Sequence, residues 1–97
     1  MPYTRVALDR FQPGAGDQVL ARVQHGLLPL LRQQPGFVAY EVVRTGEDSA
    51  IFIHTSETQQ QAEASVQTAT AWVRENLAGL IAAVETHVGE LVVTSRD

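Results

Sequence analysis

The sequence predicts an α+β fold of the ferredoxin-like type, with four strands and two helices in the order βαββαβ. Apolar residues alternate with polar ones in the short segments, recur every three or four residues in the two long segments, and are interrupted by Gly or Pro between segments. A chain of 97 residues suffices for one small domain, so residues 1–97 are expected to form a single unit. Two crossovers in this order fold most simply as a four-stranded antiparallel sheet with both helices on one face.

The first strand and the first helix occupy the N-terminal third of the chain. Residues 3–11 alternate Val6 and Leu8 with charged and small residues, which is typical of a strand with two unlike faces. From Asp17, a suitable N-cap, apolar residues follow helical spacing. Pro29 lies inside this pattern and predicts a kink or a break about one turn before the helix ends.

A hairpin and the start of the second helix follow. Residues 37–43 and 51–55 are rich in β-branched and aromatic residues, and the turn-forming run 45–49 between them predicts that they pair. Thr58 can begin the second helix, because its side chain can accept a hydrogen bond from the amide of Gln61 while the Gln61 side chain reaches back. This arrangement is a capping box.

The second helix has one apolar stripe, and a last strand follows it. The stripe consists of Ala62, Val66, Ala69, Val73, Leu77 and Leu80. Gly79 is expected to end or bend the helix near Ala78, with a short turn over residues 80–83. Residues 86–94 then predict the last strand, with Gly89 as a bulge.

Composition excludes several classes of chemistry and of partner. The chain has no Cys and no Lys, which excludes disulfides, thiol nucleophiles and Schiff bases. The net charge is −4 and the seven cationic residues are scattered Arg, so no nucleic-acid partner is expected. No apolar run reaches membrane-spanning length and the N-terminus has no signal-peptide profile, so we expect a cytoplasmic protein without a membrane partner. The three His lie far apart on different elements, and no metal site is expected.

The predicted strands carry apolar residues on both faces, and this favours a homodimer. Val38, Tyr40 and Val42 share one face of the second strand, while Phe37, Ala39 and Val43 share the other. The two helices can cover only one sheet face, and a second copy of the chain is the simplest cover for the other. The alternative is that one face is less buried than its composition indicates. The sequence leaves open which face the helices cover.

Several runs in the sequence resemble one known family. These runs are Gln-Pro-Gly-Phe-Val-Ala-Tyr-Glu-Val at 34–42, Thr-Ser-Glu-Thr at 55–58, Ala-Glu-Ala-Ser at 62–65 and Trp-Val-Arg-Glu-Asn-Leu at 72–77. In this order they resemble the antibiotic biosynthesis monooxygenase-like family, over almost the whole chain. The resemblance implies a dimeric α/β barrel. It also implies one of several activities: cofactor-free oxygenation of aromatic polyketides or quinols, heme degradation, isomerisation or decarboxylation.

Departures from the family pattern narrow these activities. The heme-degrading branch resembles a set of Asn on the first strand with Trp and His on the second helix, and this chain has neither that Asn nor that His. Heme is therefore not expected, and we expect no cofactor. Many members carry a Trp near the end of the third strand where this chain has Ser56. The cavity is then either wider than usual or filled by Phe52 and Trp72.

Five residues are candidates to line a ligand cavity, and each has a structural alternative. They are Tyr40, Phe52, Ser65, Trp72 and Asn76. Trp72 lies about 100° from the centre of the apolar stripe, with Ser65 and Asn76 on the same flank, so this edge could form a pocket rim or simply pack. Tyr40 could instead be an ordinary core aromatic, and Asn76 could cap the helix end.

His54 is the candidate catalytic base, because it lies in an apolar strand and titrates near neutral pH. It could deprotonate a phenol or quinol whose anion then reacts with oxygen, or it could be a structural His. Two functions therefore stay open. The first is a cofactor-independent monooxygenase acting on a small aromatic or quinol-type substrate; the second is a non-catalytic dimeric module that binds a small ligand.

Overall fold

The structure, a computed structural model, describes residues 1–96 as one antiparallel sheet with helices on one side. In chain order the elements are β1 Tyr3–Phe11, α1 Gly16–Arg22, a π-helical turn Val23–Leu27, α2 Leu28–Arg32, β2 Phe37–Gly46, β3 Ser49–Ser56, α3 Gln59–Asn76 and β4 Ile81–Glu90. The sheet order is β2-β3-β1-β4, with every neighbouring pair antiparallel. The predicted α+β ferredoxin-like arrangement is confirmed. Among residues 1–96, no helix is long and apolar enough to cross a membrane.

The helices cover the face of β1 that carries Arg5 and Asp9, two of its three charged residues. Ala7 is 3% exposed and packs in the core, whereas Leu8 is 40% exposed on the opposite face. Arg5 and Asp9 alternate with Ala7, so they also face the helices. The small Ala7 side chain lets the helices approach the sheet, and the core closes around it. We call the other side, which carries Leu8, the open face.

The core lies between the helix-facing side of the sheet and the helices. Its buried apolar members are Ala7, Phe11, Ala15, Val19, Val23, Leu27, Leu31, Ala50, Phe52 and Leu77. Four of them, from Val19 to Leu31, recur every fourth residue along the first helical region. This region, rather than α3, therefore supplies most of the apolar cover of the sheet.

The first helix is capped by a residue distant in sequence. The prediction that Asp17 is the N-cap is wrong: α1 begins at Gly16, with Ala15 as an N-cap that makes no side-chain hydrogen bond. Instead, the carboxylate of Asp48 in the β2–β3 turn accepts hydrogen bonds of 3.0 Å from the amides of Gly14 and Gly16. The hairpin thus satisfies the free amides at the helix start.

The predicted interruption of the first helix is present, but it precedes Pro29. The π-helical turn Val23–Leu27 separates α1 from α2, and Pro29 lies in the first turn of α2, where a missing amide is tolerated. Within the turn, a Cβ added at Gly26 would lie 2.7 Å from the Trp72 ring. Trp72 therefore packs directly against the Gly26 backbone.

Half of the predicted capping box forms at the start of α3. The Gln61 amide donates to Thr58 Oγ1 over 3.2 Å, as predicted. The Gln61 side chain does not return to the cap, because it lies against Gly36, whose φ is +79°. The left-handed backbone at Gly36 leaves room that a residue with a Cβ would fill.

The last strand begins and ends earlier than predicted. It spans Ile81–Glu90 instead of 86–94, because Gly79, with φ +78°, reverses the chain directly after α3. Gly89 pairs with Thr4 in regular register, so the bulge predicted there is wrong. Residues 91–96 leave the edge of the sheet and lead to β2, where Arg96 Nη1 lies 3.7 Å from Glu41 Oε2.

Candidate functional site

A cavity of about 240 Å³ lies between the helix-facing side of the sheet and the helices. Most of its lining is apolar and comes from the sheet and from the helical segments, including Val19 of α1, Leu27 of the π-helical turn and Val73 of α3. The polar residues in the lining are Arg5, Asp9, Tyr40 and Thr70. Three of these four lie on strands and only Thr70 lies on a helix, so the cavity has a largely apolar roof of helices and a partly polar sheet floor.

Two of the polar floor residues belong to one row across the sheet. Tyr40 on β2 pairs with His54 on β3, which pairs with Arg5 on β1. Paired residues in neighbouring strands project to the same side, so all three face the helices. Tyr40 and Arg5 line the cavity, and His54 lies between them.

A bulge in β2 surrounds His54 with aromatic rings. The register shifts between Phe37 and Ala39, which leaves Val38 as the extra residue. Phe37 and Tyr40 therefore both contact His54, with ring centroids 6.0 Å and 5.7 Å from the imidazole, although strict alternation would place them on opposite faces. The Tyr40 contact is edge-on.

His54 is neutral in this environment. It is 6% exposed, and burial, followed by the positive charge of Arg5, lowers the pKa of its imidazole from the ordinary value. Its Nε2 is buried and has no hydrogen-bond partner among residues 1–96. The imidazole can accept a proton, but His54 does not belong to the cavity lining.

Asp9 is the chemically most unusual residue of the cavity, and the sequence reasoning missed it. Its Oδ1 is buried and accepts no hydrogen bond from the described part of the chain. Burial raises the pKa of the Asp9 carboxyl to about 6, while the charge of Arg5 acts in the opposite direction. Phe11, a large aromatic on the same alternating face, was the available signal that this face belongs to the core.

Tyr40 is a protonated donor at neutral pH. Burial, and then the negative charge of Asp9, raises the pKa of its phenol above the usual range. The effect of Asp9 on Tyr40, and of Arg5 on both, means that the three side chains are within electrostatic range of one another. The cavity floor therefore combines a cation, a hydroxyl donor and a carboxyl that titrates near neutral pH.

The remaining predicted site residues divide into two groups. Phe52 lines the cavity together with Tyr40. Ser65 is buried on α3, its Oγ without a partner among residues 1–96, and Trp72 packs on Gly26; neither lines the cavity. Asn76 ends α3, and its Nδ2 donates to the Trp72 carbonyl over 2.9 Å, a capping contact away from the cavity.

The described residues do not gather metal ligands. No group of three or more His, Asp or Glu side chains that could hold a metal ion occurs within residues 1–96. His87 pairs instead with Glu85 on β4, with 2.7 Å between Nε2 and Oε2, on the open face.

Comparison with solved structures shows the same fold in several bacterial proteins. A Chloroflexus aurantiacus protein named for antibiotic biosynthesis monooxygenase is 21% identical, with a TM-score of 0.78 over 99% of this chain and 98% of that chain. A Nitrosomonas europaea protein of unknown function is 17% identical, with a TM-score of 0.82 over 99% and 94%. Rv0793 from Mycobacterium tuberculosis is 12% identical, with a TM-score of 0.78 over 99% and 100%.

Sequence comparison assigns the family directly. No curated protein matches the chain significantly. The family described as antibiotic biosynthesis monooxygenase matches residues 2–71, which include the whole sheet floor of the cavity contributed by β1, β2 and β3. The chain therefore belongs to the antibiotic biosynthesis monooxygenase family.

Proposed function

We propose that the cavity binds a small phenol- or quinol-type molecule and that the chain oxygenates it without a cofactor. The observation that carries this proposal is the division of the cavity into an apolar roof and a floor with Arg5, Asp9 and Tyr40. An aromatic ring suits the roof, and its hydroxyl groups suit the floor. Membership of the antibiotic biosynthesis monooxygenase family also supports the proposed oxygenation.

The floor is suited to stabilise the anion that reacts with oxygen. Deprotonation of a quinol leaves negative charge on its oxygen and ring carbons, and the guanidinium of Arg5 together with the protonated Tyr40 hydroxyl can stabilise it. One quinol and one O₂ then yield one hydroxyquinone and one water. The second oxygen atom of O₂ leaves as the water.

A non-catalytic small-ligand-binding module is the second candidate function, and the mostly apolar lining of the cavity supports it as well. The volume of about 240 Å³ is below the range of roughly 300–1,000 Å³ that is typical of sites for drug-sized ligands. Such a cavity holds one ring with few substituents. A protein that binds this ring without consuming oxygen would have the second function.

We also propose that a second copy of the chain covers the open face. Leu8 and Val43 are 40% and 48% exposed there, and the partly buried Ile51 lies between them in the pairing register. Apolar side chains in the middle of a sheet face are well suited to pack against their symmetry equivalents. The proposed assembly is a homodimer with the two sheets face to face.

A pair of matched substitutions on α3 tests the use of the cavity. Ala69 lines it, whereas Ala71 is exposed on the same helix. We expect Ala69→Leu to weaken binding of a methyl-substituted hydroquinone at least about tenfold, because its added carbons occupy the ring site. Ala71→Leu should bind like the original chain.

Calorimetry gives the affinity and an oxygen electrode gives turnover. Equal affinity in the two variants would contradict the proposed binding site. Binding by the original chain without oxygen consumption, across a set of substituted hydroquinones, would assign the second function.

A further inference from the structure

We infer that the carboxylate of Asp9 is the catalytic base that takes the hydroxyl proton of the substrate. This inference rests on the proposed function and adds to it the residue that starts the reaction. It differs from the prediction that His54 is the base. Three features support it: the place of Asp9 in the cavity, its free oxygen, and the charges that face it.

The first feature is access to the substrate. Asp9 lies on the helix-facing side of β1 and lines the cavity directly, whereas His54 does not belong to the lining and contacts the Phe37 and Tyr40 rings. A base must come within hydrogen-bond reach of the proton it abstracts. Asp9 lines the cavity, so it can meet this condition for a hydroxyl group that binds beside it.

The second feature is the state of the carboxylate oxygen. Oδ1 of Asp9 is buried and accepts no hydrogen bond within residues 1–96. A buried acceptor without a donor is unfavourable, and a substrate hydroxyl in the cavity would supply that donor. Binding and proton transfer would then use the same oxygen atom.

The third feature is the balance of charges around Asp9 on the sheet. Arg5 on β1 and Tyr40 on β2 are within electrostatic range, and His54 on β3 is neutral. Arg44 on β2 occupies the same cross-strand row as Asp9, but its guanidinium donates to Asp17 Oδ1 over 2.8 Å. Arg5 is thus the cation that remains available to the cavity.

Within residues 1–96, the elements on the other sides of Asp9 add no titratable group to the cavity lining. β4 contributes Val84 opposite Asp9, and the helices contribute apolar side chains and Thr70 to the cavity lining. Burial therefore has a larger effect on the Asp9 carboxyl than the positive charge of Arg5, and the pKa of the carboxyl rises to about 6. A base with this pKa is ionised at neutral pH and yet basic enough to accept a proton.

Proton transfer from the substrate to Asp9 starts the oxygenation. The O–H bond of the quinol breaks, its proton moves to Asp9 Oδ1, and the electron pair stays on the substrate as an anion beside Arg5. O₂ is the oxidant: one of its atoms enters a ring C–H bond and the other leaves as water, while the quinol becomes a hydroxyquinone. The proton on Asp9 is used in forming that water, which restores the carboxylate.

The test compares Asp9→Asn with His54→Gln and with Glu75→Gln, a control on the exposed side of α3. Affinity for the hydroquinone, oxygen consumption and melting temperature are measured for each protein. We expect Asp9→Asn to keep its fold and to bind within about threefold, and to lose at least about 100-fold in kcat/KM, the typical contribution of a general base. Asp9→Glu should recover part of the loss.

The pH profile provides a second measurement that does not depend on the stability of a variant. In the original chain, kcat/KM should fall as the pH drops below about 6 and Asp9 becomes protonated. Turnover by Asp9→Asn close to that of the original chain would overturn the inference and leave the proposed function intact. Absence of both binding and oxygen consumption in the original chain would overturn the proposed function and this inference together.

Discussion

Folding removes the Asp9 carboxyl group from part of the water that surrounds it in the unfolded chain. Burial raises its pKa from 3.8 to about 6, so the folded state binds more protons than the unfolded state between these two values. The free energy of unfolding therefore falls as the pH rises through this window, and it stays lower above pH 6. The residue acts against stability at neutral pH, as functional groups often do.

Replacing Asp9 with Asn should therefore stabilise the protein at pH 7.5. We expect a gain of about 1 kcal/mol, because the carboxyl is only partly buried and water screens much of its unfavourable energy. The gain should disappear near pH 4, where Asp9 is protonated in the original chain. Urea unfolding at both pH values and at equal protomer concentration measures it.

The control is Glu75→Gln, which removes an exposed carboxyl on α3 outside the cavity and should not give the gain at pH 7.5. A gain for Asp9→Asn that is as large at pH 4 as at pH 7.5 would show that ionisation of Asp9 is not its cause.

At this scale the sequence identified only part of the site. Alternation along β1 separates Arg5, Ala7 and Asp9 from Val6 and Leu8, but it does not state which set faces the helices. Tyr40 and Phe52 were found because aromatic residues in mid-strand are good cavity candidates in either case. Asp9 was missed because charged residues on a strand usually face solvent.

Among the elements, the contact between the π-helical turn and α3 depends on the absence of a Cβ atom at Gly26. A Cβ at Gly26 would meet Cζ2 of Trp72 at 2.7 Å, closer than such atoms approach. The Trp72 ring is rigid and packed against the Gly26 backbone, so it cannot move aside for an added Cβ as a flexible side chain could.

We expect Gly26→Ala to destabilise the protein by about 1–3 kcal/mol, although Ala is the better helix former. Gly89→Ala on β4 is the matched control, because nothing lies within 4 Å of the added Cβ. Its effect should stay within about 0.5 kcal/mol. Thermal melts of both variants decide the matter, and an unchanged or raised melting temperature for Gly26→Ala would contradict the contact.

Local signals in the sequence predicted elements well where one turn or cap determines them. Thr58 begins α3 through its own side chain, and the hairpin turn is local. The start of α1 depends instead on Asp48, more than 30 residues away, and no local pattern contains that information. β4 was misplaced because its ends are determined by pairing with β1, which no local pattern contains.

For the whole molecule, the open face is the feature with the largest consequence for assembly. Leu8 lies on β1, one of the two central strands of the sheet, and its side chain is 40% exposed. The C-terminal segment 91–96 reaches Glu41 on β2, which is an edge strand. The proposed homodimer would bury Leu8 at its centre. A lysine there would place a charge in an apolar interface.

We expect Leu8→Lys to convert the homodimer to a monomer of one 10.6 kDa chain. Val88→Lys is the control, because Val88 is 56% exposed on the other side of the sheet, at β4. Native mass spectrometry at several protein concentrations reports both masses. A dimer that survives Leu8→Lys would place the interface elsewhere, and a monomeric original chain would contradict the homodimer.

The π-helical turn also determines which residues of the first helical region can face the sheet. In a regular α-helix, residues spaced by four drift about 40° per step around the axis, so Val19 and Leu31 would point about 120° apart. The π-helical turn contains one residue more than an α-helical turn, and this extra residue cancels much of the drift. The apolar residues from Val19 to Leu31, spaced by four, therefore all stay buried. The π-helical turn thus keeps the apolar side chains of α1 and of α2 pointing towards the sheet. Deleting one residue from it would rotate α1 against α2 by about 100° and remove one half of the repeat from the core.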